Sequence, residues 1–378
     1  MKKVLFVATV VKKHINVFHL PYLKWFQQNG YETHVCAGND FENKDDLVIP
    51  YCDKYYELPF QRSPFKMENI YVYKKLKKII NENNYDIIHC HTPMGGALVR
   101  LAAKESRKNG TKVIYTAHGF HFFKGAPLKN WLIYYPIEKL LSKYTDCIIT
   151  INNEDYQVAK NKFKAESIKL VNGVGININK FSPPTLEFKL KLRNEYGYKE
   201  NDLILIYVGE LSYRKHQDLL INTVSEVASK IPNIKLLLVG TGDLLEQYQQ
   251  LVNKLELKNK VEFLGFRNDV DKLMSLSDIA VSSSRQEGLP VNIMEAMATG
   301  LPLVVTDCRG NRDLVKPNEN GFLIGIDEAE KFSVAVEEIY KSKILKQKFR
   351  EKSLDCIKSY SLESIIREMG KIYLEQMK

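Results

Sequence analysis

Short apolar runs alternate along this chain with longer amphipathic stretches, beginning at the first residues. Runs at 4–9, 33–37, 86–90, 112–117 and 146–151 are almost continuously apolar, which reads as strands buried on both faces. Stretches at 18–28, 67–83, 95–108 and 128–143 carry helical periodicity between them. The pattern stops at the glycine-rich Asn172-Gly-Val-Gly175 and the pair Pro183-Pro184, then restarts. Strands are predicted at 203–209, 234–240, 261–264, 278–282 and 302–306, with helices at 217–230, 244–255 and 290–299. Strands alternating with helices predict parallel sheets wound on both sides. The chain is therefore expected to form two doubly wound α/β domains, 1–172 and 173–357. Its charged helical tail, from about 358 to 378, is expected to pack back on the first. Ligands of such sheets gather at the carboxyl ends of the strands, and a cleft between two such domains is the expected site.

Charge sharpens this picture. The net charge of +10 lies wholly in the first half: residues 1–170 hold 26 Lys/Arg against 16 Asp/Glu, and residues 171–378 hold 29 of each. Seven of the eight histidines share that half. A basic half suits a phosphate-bearing ligand or an anionic membrane surface. Nucleic acid would suit it too, but no nucleic-acid-binding module is recognisable and the excess is diffuse, so none is expected. No apolar run reaches the roughly 18 residues of a membrane span. The apolar N-terminus is short and soon followed by Lys12-Lys13, as in a first strand rather than a leader. Six cysteines without a Cys-x-x-Cys pair argue against zinc or redox chemistry and for a reducing, cytoplasmic compartment.

Candidate chemistry clusters at predicted strand ends. Glu287 and Glu295 flank the entrance of a short helix, with Gly288, Leu289 and Pro290 between them. Pro290 fits the first helical position. Free amides at a helix entrance suit a phosphate, and carboxylates on either side accept from hydroxyls. Together they would hold a sugar nucleotide; solvated glutamates on a capped surface helix would give the same spacing. Arg214 and Lys215 follow Gly209 in a strand-to-helix loop, where fixed cations could neutralise a diphosphate or simply face solvent. Gly240-Thr-Gly-Asp243 is half of a dinucleotide fingerprint, so its glycine could admit a phosphate or serve an ordinary turn. Gly265-Phe266-Arg267 could meet a nucleobase or pack. Asp269-Val-Asp271 opens a short helix and is expected to cap it rather than bind metal. In the first half, His118 follows a strand directly. Phe120, Phe122, Phe123 and Trp131, interleaved with Lys124 and Lys129 and beside His121, could lie on lipid headgroups or belong to the core. Lys12, Lys13 and His14 are expected in the first strand-to-helix loop, facing the same cleft.

These pieces in this order resemble a retaining family-4 glycosyltransferase of the GT-B fold, two Rossmann-like domains facing each other across a cleft, over nearly the whole chain. The Glu-x7-Glu segment at Glu287 and Glu295 is the most specific element, supported by the Gly-x-Leu stretch ending at Lys215 and by His118. The stretches 118–123 and 309–313 further resemble bacterial enzymes of capsule and exopolysaccharide synthesis. The resemblance implies that Glu295 holds the ribose and Glu287 the donor sugar, with Gly288, Leu289 and Pro290 near the phosphates. Lys215 and Arg214 would stabilise the leaving diphosphate, and His118 would contact donor sugar and acceptor. It implies a UDP-sugar donor and a glycan acceptor carried on a polyprenyl diphosphate. It also implies peripheral contact with the inner face of the cell membrane, and no metal or other cofactor. One departure stands out: Glu210 sits where many family members carry arginine, and a carboxylate facing a diphosphate is unfavourable. A non-hydrolysing UDP-sugar epimerase, or a catalytically silent glycan- or nucleic-acid-binding protein, would be the alternatives.

Overall fold

The computed structural model describes all 378 residues, which form two compact units. One comprises Met1–Val174 with Glu363–Lys378, and the other Gly175–Leu362. The joins lie a few residues beyond those read from the sequence. A backbone bridge explains the second: Ile176 N–H donates to Tyr360 O at 3.0 Å, and Leu362 N–H to Ile176 O at 2.9 Å, which keeps residues up to 362 with the second unit.

The first unit holds seven strands: β1 Lys2–Val10, β2 Tyr31–Gly38, β3 Lys54–Glu57, β4 Ile87–His91, β5 Lys112–Ala117, β6 Cys147–Thr150 and β7 Ser167–Leu170. All pair in parallel, in the order β3-β2-β1-β4-β5-β6-β7. Val4 to Ala8 of β1 are fully buried, as an unbroken apolar run requires in a sheet covered on both faces. The helices Glu68–Asn83, Pro93–Ala102 and Leu128–Leu141 share one core with the sheet. Leu20–Gln28 and the C-terminal Leu362–Gln376 share the other. Tyr373, fully buried on that last helix, exchanges a 2.8 Å hydrogen bond with His89 Nδ1 on β4. The edge strands β3 and β7 escaped the sequence reading because Lys-Tyr-Tyr-Glu and Ser-Ile-Lys-Leu are short and only half-buried.

The second unit repeats the scheme with β8 Leu203–Val208, β9 Ile234–Val239, β10 Val261–Gly265, β11 Ile279–Ser282, β12 Leu303–Thr306 and β13 Gly321–Ile324. The order is β10-β9-β8-β11-β12-β13, again all parallel. Chain direction across the sheet reverses between β8 and β11 here, and between β1 and β4 in the first unit. Such a reversal sends the connections after the two strands toward opposite sides of the sheet and makes the carboxyl ends of the strands there the expected ligand site. No helix is long and apolar enough to cross a membrane.

Candidate active site

In the second unit the loops after β8 and β11 meet at the reversal point. Arg285 N–H donates to Arg214 O at 2.9 Å, and Ser283 Oγ to Lys215 O at 2.8 Å. This brings Lys215 Nζ to 2.5 Å from Glu287 Oε1, with both residues buried. Ser284 Oγ donates to the same oxygen at 2.7 Å and shares a 2.9 Å hydrogen bond with Tyr207 Oη. Arg214 approaches the other oxygen, Glu287 Oε2, at 3.5 Å. A carboxylate buried beside one full cation and a hydroxyl has its charge answered, which burial of an ion demands. Arg309 Nε donates to Glu287 O at 2.9 Å and pins the backbone. Gly310 is glycine because φ is +80° and a Cβ would lie 2.5 Å from Gly288 O.

Glu295 stands apart from this network. It lies on the Val291–Thr299 helix, largely shielded from water, and burial pushes its carboxyl up to about 7 against the pull of Lys180. Pro290 is not the first helical residue: with φ −76° and ψ 117° it is the extended residue before the helix. The proline ring fixes φ but leaves ψ free, so the same residue fits either position. Glu210 points outward with its side chain 62% exposed, and Arg214 lies 4.0 Å from it.

Other strand-end residues serve the scaffold. Gly240 has φ +138°, and a Cβ there would sit 2.1 Å from Gly209 O; at Gly242 it would sit 2.2 Å from Leu211 O. The close neighbour that these glycines admit is therefore the chain's own 209–211 loop. Gly265 O accepts from Gly240 N–H at 2.8 Å. Arg267 is held in a two-pronged pair with Asp269, at 2.8 and 2.6 Å, and Tyr196 donates to Asp269 at 2.6 Å. Asp269 occupies the cap position of the Val270–Leu276 helix, but its carboxylate makes no capping bond. The expected cap is corrected to an arginine clamp, which holds that carboxyl well below its usual range. Phe266, by contrast, is 77% exposed.

The first unit gathers histidines at its own reversal point. Val11–His19 continues β1 directly as a wide helix with i→i+5 hydrogen bonding, running into the Leu20–Gln28 helix. The expected loop around Lys12, Lys13 and His14 is therefore helical. Asp40 accepts from the Lys12 and Lys13 amides, a carboxylate at a helix entrance, while both lysine side chains face solvent. Five-residue spacing in this winding stacks His14 over His19, with ring nitrogens 2.9 Å apart. His19 stacks on His91 at 3.7 Å between centroids, and His14 meets His118 edge-on at 5.1 Å. His89 and His91, two apart on β4, complete the group. Burial lowers His14 to about 4 and both His89 and His118 to about 3, with His19 and His91 also held well below 6.5. All five rings are thus neutral near pH 7. His19 Nδ1, His118 Nε2 and both nitrogens of His91 are buried without a hydrogen-bond partner. One nitrogen each from His14, His19 and His118 lie within 4.8 Å of one another, a spacing that a divalent transition ion could use.

The aromatic stretch after His118 resolves differently from a lipid-facing group. Phe120 and Phe122 are core residues, stacked at 4.9 Å and 11°, and Trp131 packs against the same core. Of its rings only His121 is exposed, lying on Tyr134 at 4.6 Å, while Lys124 and Lys129 face solvent. Sequence reasoning missed Tyr207 and Ser284, which carry no motif, and gave Arg309 no role although it opens the 309–313 stretch. It also missed His19, His89 and His91, for which the His-Cys-His run of β4 was an available signal.

Residues 3–152 match the family described as glycosyl transferase 4-like, and residues 188–355 match glycosyl transferases group 1. The putative glycosyltransferase EpsD of Bacillus subtilis is 44% identical over 377 residues, spanning 100% of this chain and 97% of that protein. An Escherichia coli UDP-Gal:alpha-D-GlcNAc-diphosphoundecaprenol alpha-1,3-galactosyltransferase is 28% identical over 325 residues, 83% of each chain. The crystal structure of Anabaena HepE in complex with UDP and glucose superimposes with a TM-score of 0.81, at 20% identity over 99% of this chain and 100% of that one.

Proposed function

For a chain that belongs to the group 1 glycosyltransferases and has their GT-B fold, we propose transfer of a hexose or N-acetylhexosamine from a UDP-sugar. The acceptor is a glycan on a polyprenyl diphosphate, the anomeric configuration is retained, and the product enters a cell-surface polysaccharide. The observation that carries this reading is the buried Lys215–Glu287 pair at the reversal point of the second sheet, with Glu295 one turn into the adjoining helix. The Escherichia coli relative, named for a UDP-sugar donor and a diphosphoundecaprenol acceptor, supports it.

In this reading Glu295 accepts from the ribose hydroxyls, which would hold its reluctant carboxylate in the charged form. The amides of Gly288 and Leu289, before the Val291–Thr299 helix, face the diphosphate. Lys215 and Arg214 carry the positive charge that a leaving UDP needs, and Glu287 orients Lys215 while accepting from the sugar. Gly209, Gly240 and Gly265 keep the loops around this site close together. The exposed Phe266 offers its ring to the base, with Arg267 held beside it by Asp269. The bond from C1 to the phosphate oxygen breaks with its electron pair on UDP, the acceptor oxygen bonds C1 from the same face, and the acceptor proton passes to the departing phosphate. His118, neutral at pH 7, offers hydrogen bonds to sugar hydroxyls without competing for that proton. Lys12, Lys13, His14 and His121 are the acceptor-side residues; Phe120, expected with them, is buried in the core instead. No metal or other cofactor enters the step.

The test is incubation with a panel of UDP-sugars, with and without a polyprenyl-diphosphate-linked sugar, reading the product anomer by NMR. Acceptor-dependent UDP release and a retained linkage are expected. Epimerisation of the donor without acceptor, or an inverted product, would sink the reading.

A further inference from the structure

The Leu128–Leu141 helix is apolar on both sides. Its inner side is accounted for: Trp131 packs against the core, Leu141 is buried, and Glu138 forms a buried pair with Arg100 at 2.7 Å. Its outer side is not. Leu128 is 72% exposed, Leu132 69% and Leu140 51%, with Ile133 and Ile137 at 44% each. A surface helix ordinarily turns polar residues outward, and a contiguous exposed apolar patch marks a contact. The charges on this outer side are all of one sign. Lys129 and Lys139 lie among the aliphatic side chains, Lys143 follows, and the helix's one acid is turned inward. The Glu68–Asn83 helix, which shares this core, repeats the pattern. Phe65 and Met67 at its entrance are 85% and 73% exposed, and residues 62–83 hold six Lys/Arg against two Glu.

We propose that this face of the first unit, centred on the outer side of the Leu128–Leu141 helix, lies on an anionic lipid bilayer. The inference rests on the lipid-linked acceptor of the proposed function and names the surface that would meet that lipid. Charge selects the occupant. Lysines on long apolar stems suit an apolar layer topped by negative headgroups. A second copy docked through a two-fold axis would instead set Lys129, Lys139 and Lys143 against themselves. The phenylalanines after His118 contribute by bracing the helix from inside, and the aliphatic residues make the contact. With no helix able to span, the mode is surface docking.

Sedimentation of the full chain with phosphatidylglycerol-containing and with pure phosphatidylcholine vesicles tests it. The variants are Leu132→Glu/Ile137→Glu and, with the apolar side chains intact, Lys129→Glu/Lys139→Glu. Wild type should prefer the anionic vesicles, and each double variant should lose at least about tenfold in partition. Turnover of an acceptor embedded in vesicles should fall with it, while turnover of a short-tailed soluble acceptor and stabilisation by UDP stay unchanged. Equal binding to both vesicle types, or variants that sediment like wild type, overturns the proposal. So does a wild-type dimer that the Leu132→Glu/Ile137→Glu variant dissolves, since the face would then belong to a second copy. Failure of the proposed function alone would appear as no turnover with either acceptor while vesicle binding persists.

Discussion

The two units share a strand order and differ in what they place at the point where it reverses. The second unit puts fixed charge there: Lys215, Arg214 and Glu287, tied by Ser284 and Arg309. The first puts five imidazoles there, kept neutral by burial, several with ring nitrogens that nothing in the protein satisfies. The same backbone scheme thus supplies two kinds of binding surface. One is charged, as an anionic group such as a diphosphate would require; the other offers uncharged donors and acceptors of the kind that suit hydroxyls. What the loops carry decides the chemistry.

Removing the fixed charge should have the largest effect. Lys215→Ala is expected to lower turnover by about 10³-fold, as loss of a group stabilising a leaving charge does. It should also destabilise the second unit, because Glu287 is left buried beside a weaker partner. Steady-state kinetics alongside a melting curve would separate the two; normal turnover would refute the assigned role. The first unit has its own buried pair for comparison. Arg100 is fully buried, bound twice to Glu138 at 2.7 and 3.1 Å, and lies 4.0 Å over the Tyr115 ring. Arg100→Ala should destabilise that unit by about 3–5 kcal/mol, seen in denaturant melts, while UDP still stabilises the second unit.

How far the sequence foretold this depends on how local each signal is. Continuous apolar runs identified the central strands because burial on both faces leaves no other pattern, and β1 is the clearest case. The half-buried β3 and β7 gave no such signal. That Lys215, Glu287 and His118 would lie at strand ends was legible because βα loops converge on one sheet edge. Their partners were not: Ser284 and Tyr207 meet Glu287 only once β8 and β11 are neighbours. The helix-start role of Pro290 and the capping role of Asp269 give way to backbone ψ and to Arg267, and at Gly240 the close neighbour is the Gly209 backbone. Phe120 and Phe122 read equally well as surface or core, since three-dimensional packing alone decides which side of a turn is covered. The exposed face was instead on the following helix.

Glu295 gives a smaller effect with a pH signature. If nucleotide binding takes its carboxylate, raised to about 7, binding below that pH must release a proton, so affinity should weaken as pH falls from 7. Glu295→Gln should lose about tenfold in affinity and remove that part of the pH dependence. Calorimetry in buffers of different ionisation heat would read the proton. An unchanged pH profile would place the ribose elsewhere.

Acid should weaken the first unit for the opposite reason. The five clustered histidines, three buried and two partly so, have folded pKa values below 6.5, so the unfolded chain binds more protons than the folded one as pH drops beneath 6.5. Stability should therefore be flat above 6.5 and fall progressively below it, with the His14 contribution exhausted near 4 and those of His89 and His118 near 3. His91→Phe should flatten that slope; a slope unchanged by the substitution would contradict neutral burial. The smallest effect is expected at Glu210, which is solvent-exposed. Glu210→Arg should tighten UDP binding by about two- to fivefold at low salt, and the gain should vanish at high salt.

The central claim is that the second unit binds the donor nucleotide through the Glu287–Glu295 segment. Thermal-shift titration with UDP, GDP and ADP, on wild type and on Glu295→Ala, tests it most directly. Saturable stabilisation by UDP above the other two, weakened in the variant, is the predicted result. Equal stabilisation of wild type and variant by UDP, or none in either, would contradict it.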